Sequence, residues 1–169
     1  PDNYIFFQFR YNFFDELKWN LSEINSFIKS LNKKYTNVLF CSDIERNERV
    51  NFYNSYFEKS FSVIDLNINL KKINNNSKNI FFIRNLMSKD LLFIIKNSQM
   101  CVAKEGIIGH ISYFLKKKCH NLYNFKITDY KSYYHQKISY SEWSKGMCFS
   151  FSLLNGDVDK AIRKVNKHI

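Results

Sequence analysis

The chain has 169 residues, 45% of them apolar, and a formal net charge of +11, enough for one domain with a buried core and too little for two. No apolar stretch reaches the roughly 18 residues that cross a bilayer. The four cysteines, Cys41, Cys101, Cys119 and Cys148, have the spacing of neither a zinc site nor a disulfide framework. The reading is a single domain over residues 1–169, with no metal site, in a reducing, cytoplasmic compartment. The positive charge favours an anionic partner. The lysines are scattered rather than blocked, however, and a composition rich in Phe, Ile, Tyr, Asn and Lys fits AT-rich coding equally well.

In chain order, "YIFFQF" (4–9) is a short aromatic run that predicts a buried strand. "NLSEINSFIKSLNKK" (20–34) has Leu21, Ile24, Phe27, Ile28 and Leu31 at helical spacing, opened by a capping box of Asn20 and Glu23. "NVLFCS" (37–42) predicts a second strand, and 45–59 a helix burying Val50, Tyr53 and Phe57. Strands follow at 61–66 and 79–83, separated by the asparagine-rich loop 67–78. A helix over 88–98, capped by Ser88, leads to the short strand 100–103, a helix over 111–118, a strand at 119–123 and a closing helix over 157–169. No internal repeat is present. Strands that are apolar without alternation belong to sheets covered on both faces. The expectation is therefore a doubly wound, mostly parallel, Rossmann-like three-layer α/β/α fold.

In such folds ligands bind beyond the carboxyl ends of the strands, so the strand-to-helix turns carry the functional argument. Two of the four glycines fall in one such turn, "KEGIIGH" (104–110). Glycine there allows a tight turn and close approach of a ligand, and the first amides of the following helix suit a phosphate. A plain turn explains the same glycines, and the segment is neither a Walker A loop nor a GxGxxG fingerprint. His110 either donates to a phosphate oxygen or packs under the turn. Glu105 beside a phosphate needs a lysine partner such as Lys104, a sugar hydroxyl to hold, or a proton to move.

The segment "LLFIIKNSQMCVAKEGIIGHISYFL" resembles the donor-site region of the family-nine, heptosyltransferase-like glycosyltransferases, with Glu105 at the acidic position of the turn and His110 at its histidine. "FRYNFFDELKW" resembles the family's first turn, with Lys18 just before Trp19, and "FCSDIERNERV" its second, with Glu45 or Glu48. "GDVDKAIRKVNKHI" looks like the closing helix, so that the likeness runs in order along nearly the whole chain. Gly106 stands where the family has Ser or Thr, and Ile107 where it has Gly.

The resemblance implies one half of a GT-B architecture, the domain that binds a nucleotide-diphosphate sugar, with ADP among the candidate carriers, for metal-independent transfer to a lipopolysaccharide or other surface glycan. Lys18 would neutralise the diphosphate, Glu45 hold the ribose, and the segment Glu105, Gly106, Ile107, Ile108, Gly109 and His110 receive the phosphates. No catalytic residue is assigned, because the base in this superfamily usually comes from an N-terminal half. The chain is accordingly expected to be a fragment that turns over nothing alone, its acceptor held by that other half, with an acidic membrane surface as a candidate peripheral contact. Two alternatives stay open: a degenerate nucleotide or phosphate module without chemistry, and, less favoured, a basic nucleic-acid binder. The Tyr- and Lys-rich segment 124–145, with Trp143, offers stacking to a base in either case.

Overall fold

The computed structural model of the protein describes residues 4–10, 14–15, 17–34, 37–42, 47–65, 79–84, 86–104, 106–123, 140–152 and 158–167. The first aromatic run forms β1 (Tyr4–Gln8), and the amphipathic segment after it forms α1 (Leu21–Lys34). The expected capping box closes α1: the Asn20 amide donates to Glu23 Oε2 at 2.7 Å, and the Glu23 amide to Asn20 Oδ1 at 3.0 Å. Next come β2 (Asn37–Cys41), α2 (Glu48–Ser60), β3 (Ser62–Asp65) and β4 (Asn79–Arg84). The second half comprises α3 (Ser88–Asn97), β5 (Met100–Lys104), α4 (Ile107–Phe114), β6 (Lys118–Tyr123), α5 (Tyr140–Trp143), β7 (Cys148–Ser152) and α6 (Val158–Lys167).

The seven strands form one sheet in the order β3-β4-β2-β1-β5-β6-β7, and every pairing is parallel. The doubly wound α/β expectation is met, with "mostly parallel" sharpened to parallel throughout the described sheet. Alternate residues of each strand face opposite layers. Ile5, Phe7, Val38, Phe40 and Val102 pack with α1, α2 and α6. Tyr4, Phe6, Leu39, Cys101 and Ala103 pack with α3 and α4 on the other side. Burial of β1 on both faces is why its sequence reads as apolar without alternation. The first layer is largely aromatic: Phe57, on the predicted face of α2 with Val50 and Tyr53, lies 5.3 Å from Phe9, 5.2 Å from Phe40 and 5.8 Å from Phe82, ring centre to ring centre. A ring buried to this extent stabilises the fold by about 1.5–3 kcal/mol.

Four expectations need correction. The second helix starts at Glu48 rather than at residue 45, because Asn47 takes the N-cap and its side chain accepts from the Val50 amide. Ser88 is not the cap of α3; it is the first helical residue, and Met87 stands at the cap without a side-chain bond. The helix expected from residue 111 begins at Ile107, so Gly109 and His110 are helical. The strand β7 and the short α5 were not foreseen; α5 lies inside the Tyr- and Lys-rich segment, of which residues 124–139 fall outside the described residues, as do 66–78, which contain the asparagine-rich loop 67–78.

Candidate functional site

The chain winds outward from β1 in two directions, through β2 to β4 and β3 on one side and through β5, β6 and β7 on the other. The crevice between the carboxyl ends of β1 and β5 is therefore the topological switch point, where open parallel sheets hold their ligands. Gln8 and Ala103, the residues just before those ends, are register partners. From one end leads the segment containing Arg10 and Lys18, and from the other Lys104 and the start of α4.

Helical residues at Phe14, Asp15 and Leu17 shape the first side. Phe14, Leu17 and Trp19 are buried, with Phe14 4.7 Å from Phe9 and Trp19 5.3 Å from Phe27. Holding Leu17 and Trp19 in the core leaves the residue between them to close the turn in a left-handed conformation: Lys18 has φ 58°, and the Trp19 amide donates to Phe14 O at 2.9 Å. The Lys18 side chain is exposed. The aromatic residues of this turn thus set the position of the lysine. Arg49, on the first turn of α2, pairs with Asp15 and ties the turn to the start of that helix. Arg49 was not singled out in the sequence; its only signal was its place in "ERNER", close to the expected acidic residue.

On the second side, Gly106 is the N-cap of α4 with φ 149° and ψ −150°, a region that only glycine occupies without strain. A Cβ there would meet nothing within 4 Å, so backbone conformation, not crowding, requires the glycine. The five amides from Gly106 to His110, expected to receive phosphate together, are not equivalent. The Gly109 amide donates to Gly106 O at 3.1 Å, inside the helix, leaving the first turn at Ile107 and Ile108 as the outward-facing donors. The Ile108 side chain is buried, and that of Ile107 is 63% exposed. The exposed His110 has its ring 5.0 Å from that of Trp143, edge to face, and Tyr113 lies 4.4 Å from the same indole. Glu45 and Glu105 lie outside the described residues; Glu48, the other candidate of the second turn, is exposed at the first residue of α2.

The structure therefore brings Lys18 and the Gly106–His110 segment to one edge of the sheet, approaching the switch point from opposite layers. With Arg10 and Lys104, and Arg49 paired to Asp15 beside the exposed Glu48, the described edge keeps a net positive charge, which an anion meets together with the positive end of α4. Among the described residues, no three or more His, Cys, Asp or Glu side chains are grouped to hold a metal ion. The cysteines are all buried as free thiols. Burial pushes the Cys101, Cys119 and Cys148 thiols above their ordinary range, which makes them poor nucleophiles.

This fold and its switch point define a Rossmann-like α/β domain. Among solved structures the chain is similar to S. aureus MnaA in a co-structure with UDP, with a TM-score of 0.55 and 13% sequence identity. The match covers 98% of this chain and 37% of the MnaA chain, and at that identity it speaks for the fold. No family model and no curated protein matches the sequence.

Proposed function

We propose that this domain binds the diphosphate of a nucleotide-linked sugar across the carboxyl ends of β1 and β5, as the donor half of a glycosyltransferase. The observation that carries the reading is the meeting, at a single switch point, of an exposed lysine held in place by buried neighbours and a glycine-capped helix start. The amides of Ile107 and Ile108 donate to phosphate oxygens, and Lys18 supplies a point charge that also stabilises the leaving diphosphate. Glu45 accepts from the ribose hydroxyls, as its place in the resemblance suggests. The shared fold with MnaA, solved with UDP, supports a nucleoside diphosphate as the ligand class. The sequence resemblance to the heptosyltransferase-like enzymes supports a sugar donor and a surface-glycan acceptor, the acceptor being held by a separate N-terminal half.

A second reading, a nucleotide or phosphate module without chemistry, draws on the Gly109 amide being engaged inside α4 and on Gly106 standing where the family has Ser or Thr. Both readings require binding of a phosphate-bearing ligand. Thermal shift and calorimetry with ADP, GDP, UDP and CMP are expected to show binding of at least one nucleoside diphosphate, weakened on the order of tenfold by Lys18→Ala. Failure of all four to bind would refute the first reading, and failure of inorganic phosphate as well would refute the second. Binding with sugar transfer absent even when an N-terminal half is supplied would favour the second.

A further inference from the structure

Eight large apolar side chains are conspicuously exposed among the described residues, and six of them, Met87, Leu92, Phe93, Ile107, Phe114 and Trp143, fall on neighbouring elements of one layer. They belong to α3 and its cap, to α4, and to α5, which is joined to α4 through the contact of Trp143 with Tyr113. Both longer helices cover the same layer, the one that packs on Cys101 and Ala103. The exposure is large, 55% for Phe93 and 82% for Phe114.

The helix α4, "IIGHISYF", contains no Asp, Glu, Lys or Arg. Its inner stripe, Ile108 and Ser112, is buried against the sheet, while Ile107, His110 and Phe114 form an outer stripe at helical spacing. A helix apolar on both sides is ordinarily covered on both. The rim of this face is basic. Among the described residues, Lys89, Lys96, Lys116 and Lys145 are exposed on the same elements or at their ends, against two acidic residues, Asp90 and Glu142. Apolar and aromatic side chains framed by lysine match a surface that is apolar within and anionic at its boundary. A second copy of the chain would set two lysine rims against each other, which like-charge repulsion disfavours.

We propose that the outer face of α3, α4 and α5 docks on the headgroup region of a bilayer containing anionic lipid. Phe93 and Phe114 insert at the boundary of the acyl chains, Trp143 sits at the interface, and the lysine rim pairs with the lipid charges. Ile107 is common to this face and to the start of α4 at the switch point, through its side chain in the one and its amide in the other; the proposal does not depend on the nucleotide-binding reading.

The test is co-sedimentation with phosphatidylcholine vesicles with and without phosphatidylglycerol, at low and high salt. Wild-type protein is expected on the mixed vesicles at low salt, with a blue shift of indole emission, and in solution with phosphatidylcholine alone. Phe93→Ser with Phe114→Ser should weaken binding at least about tenfold. Phe52→Ser, which removes an exposed ring from α2 on the opposite layer, should leave it unchanged. The proposal is overturned if mixed vesicles do not bind, or if both variants lose binding alike. It is equally overturned if sedimentation velocity shows a dimer that the double variant dissociates, or if short oligonucleotides bind and the double substitution releases them.

Discussion

Lys18, Lys116 and Lys145 have φ of 58°, 56° and 51°, each in a position where helix ends favour glycine. At Lys116 the backbone is committed by two bonds, its own amide to Tyr113 O at 3.0 Å and that of Lys117 to Ser112 O at 2.7 Å, so the lysine bears the left-handed conformation rather than relaxing it. Because that conformation costs a side-chain-bearing residue roughly 1–2 kcal/mol, offset in part by the greater unfolded-state entropy of glycine, Lys116→Gly is expected to stabilise the domain by up to about 1 kcal/mol. A differential scanning measurement should find the midpoint about 2–4 °C higher. Cys101, Cys119 and Cys148 show the opposite situation, a cluster that is chemically quiet. They are register partners across β5, β6 and β7, on one face of the sheet. Parallel strands roughly 4.8 Å apart keep such side chains abreast at more than the ~3.8 Å Cβ separation of a disulfide, which agrees with their state as free thiols. Of the candidate site residues, Gly106 stood out in the sequence as a glycine after a strand, a local signal, whereas Lys18 was named only through the resemblance of its turn. The left-handed state of Lys18 was not legible, since it follows from burial of Leu17 and Trp19 in a core built by distant strands.

At the scale of elements, the start of α1 was readable because side chains close its first turn, while that of α2, closed by Asn47, was placed three residues early under the pull of the acidic residue at 45. Asn20 and Glu23 satisfy each other's amides, and Asn20→Ala is expected to cost about 1 kcal/mol, detectable as a lower midpoint in urea with an unchanged slope. The start of α4 was misplaced for the converse reason. Gly106 offers no side-chain bond, and Gly109 within the first turn is a poor helix former, so nothing local announces a helix at Ile107. Packing supplies what propensity lacks: Ile108 and Ser112 are buried against β5 and β6, and the Gly109 carbonyl accepts from the Cys148 thiol at 3.5 Å. That earlier start is what makes Gly109 and His110 helical and transfers the outward-facing amides to Ile107 and Ile108. β7 went unread because its register with β6 depends on a partner that is distant in sequence.

For the whole molecule, the two layers of the core are unequal in chemistry. The layer under α1, α2 and α6 is joined by rings from β1, β2, β4 and α2, with Phe57 at its centre. Phe57→Ala should destabilise the entire domain by about 3–5 kcal/mol, seen as one cooperative unfolding transition moved to lower denaturant rather than as loss of α2 alone. The alternation of strand and helix, the buried face of each helix and the existence of one parallel sheet were all present in the sequence, because periodicity is a local consequence of which side of an element meets water. Strand order was not: β4 lies between β2 and β3, and β5 crosses to the far side of β1, through pairings that no local pattern encodes. Only the tertiary structure therefore decided where the switch point falls, that Lys18 and the start of α4 approach it from opposite layers, and that six exposed apolar side chains scattered in the sequence fall on elements of one layer. Hydrogen bonding between remote strands and burial between layers are properties of the assembled sheet, and they settle what a run of residues cannot.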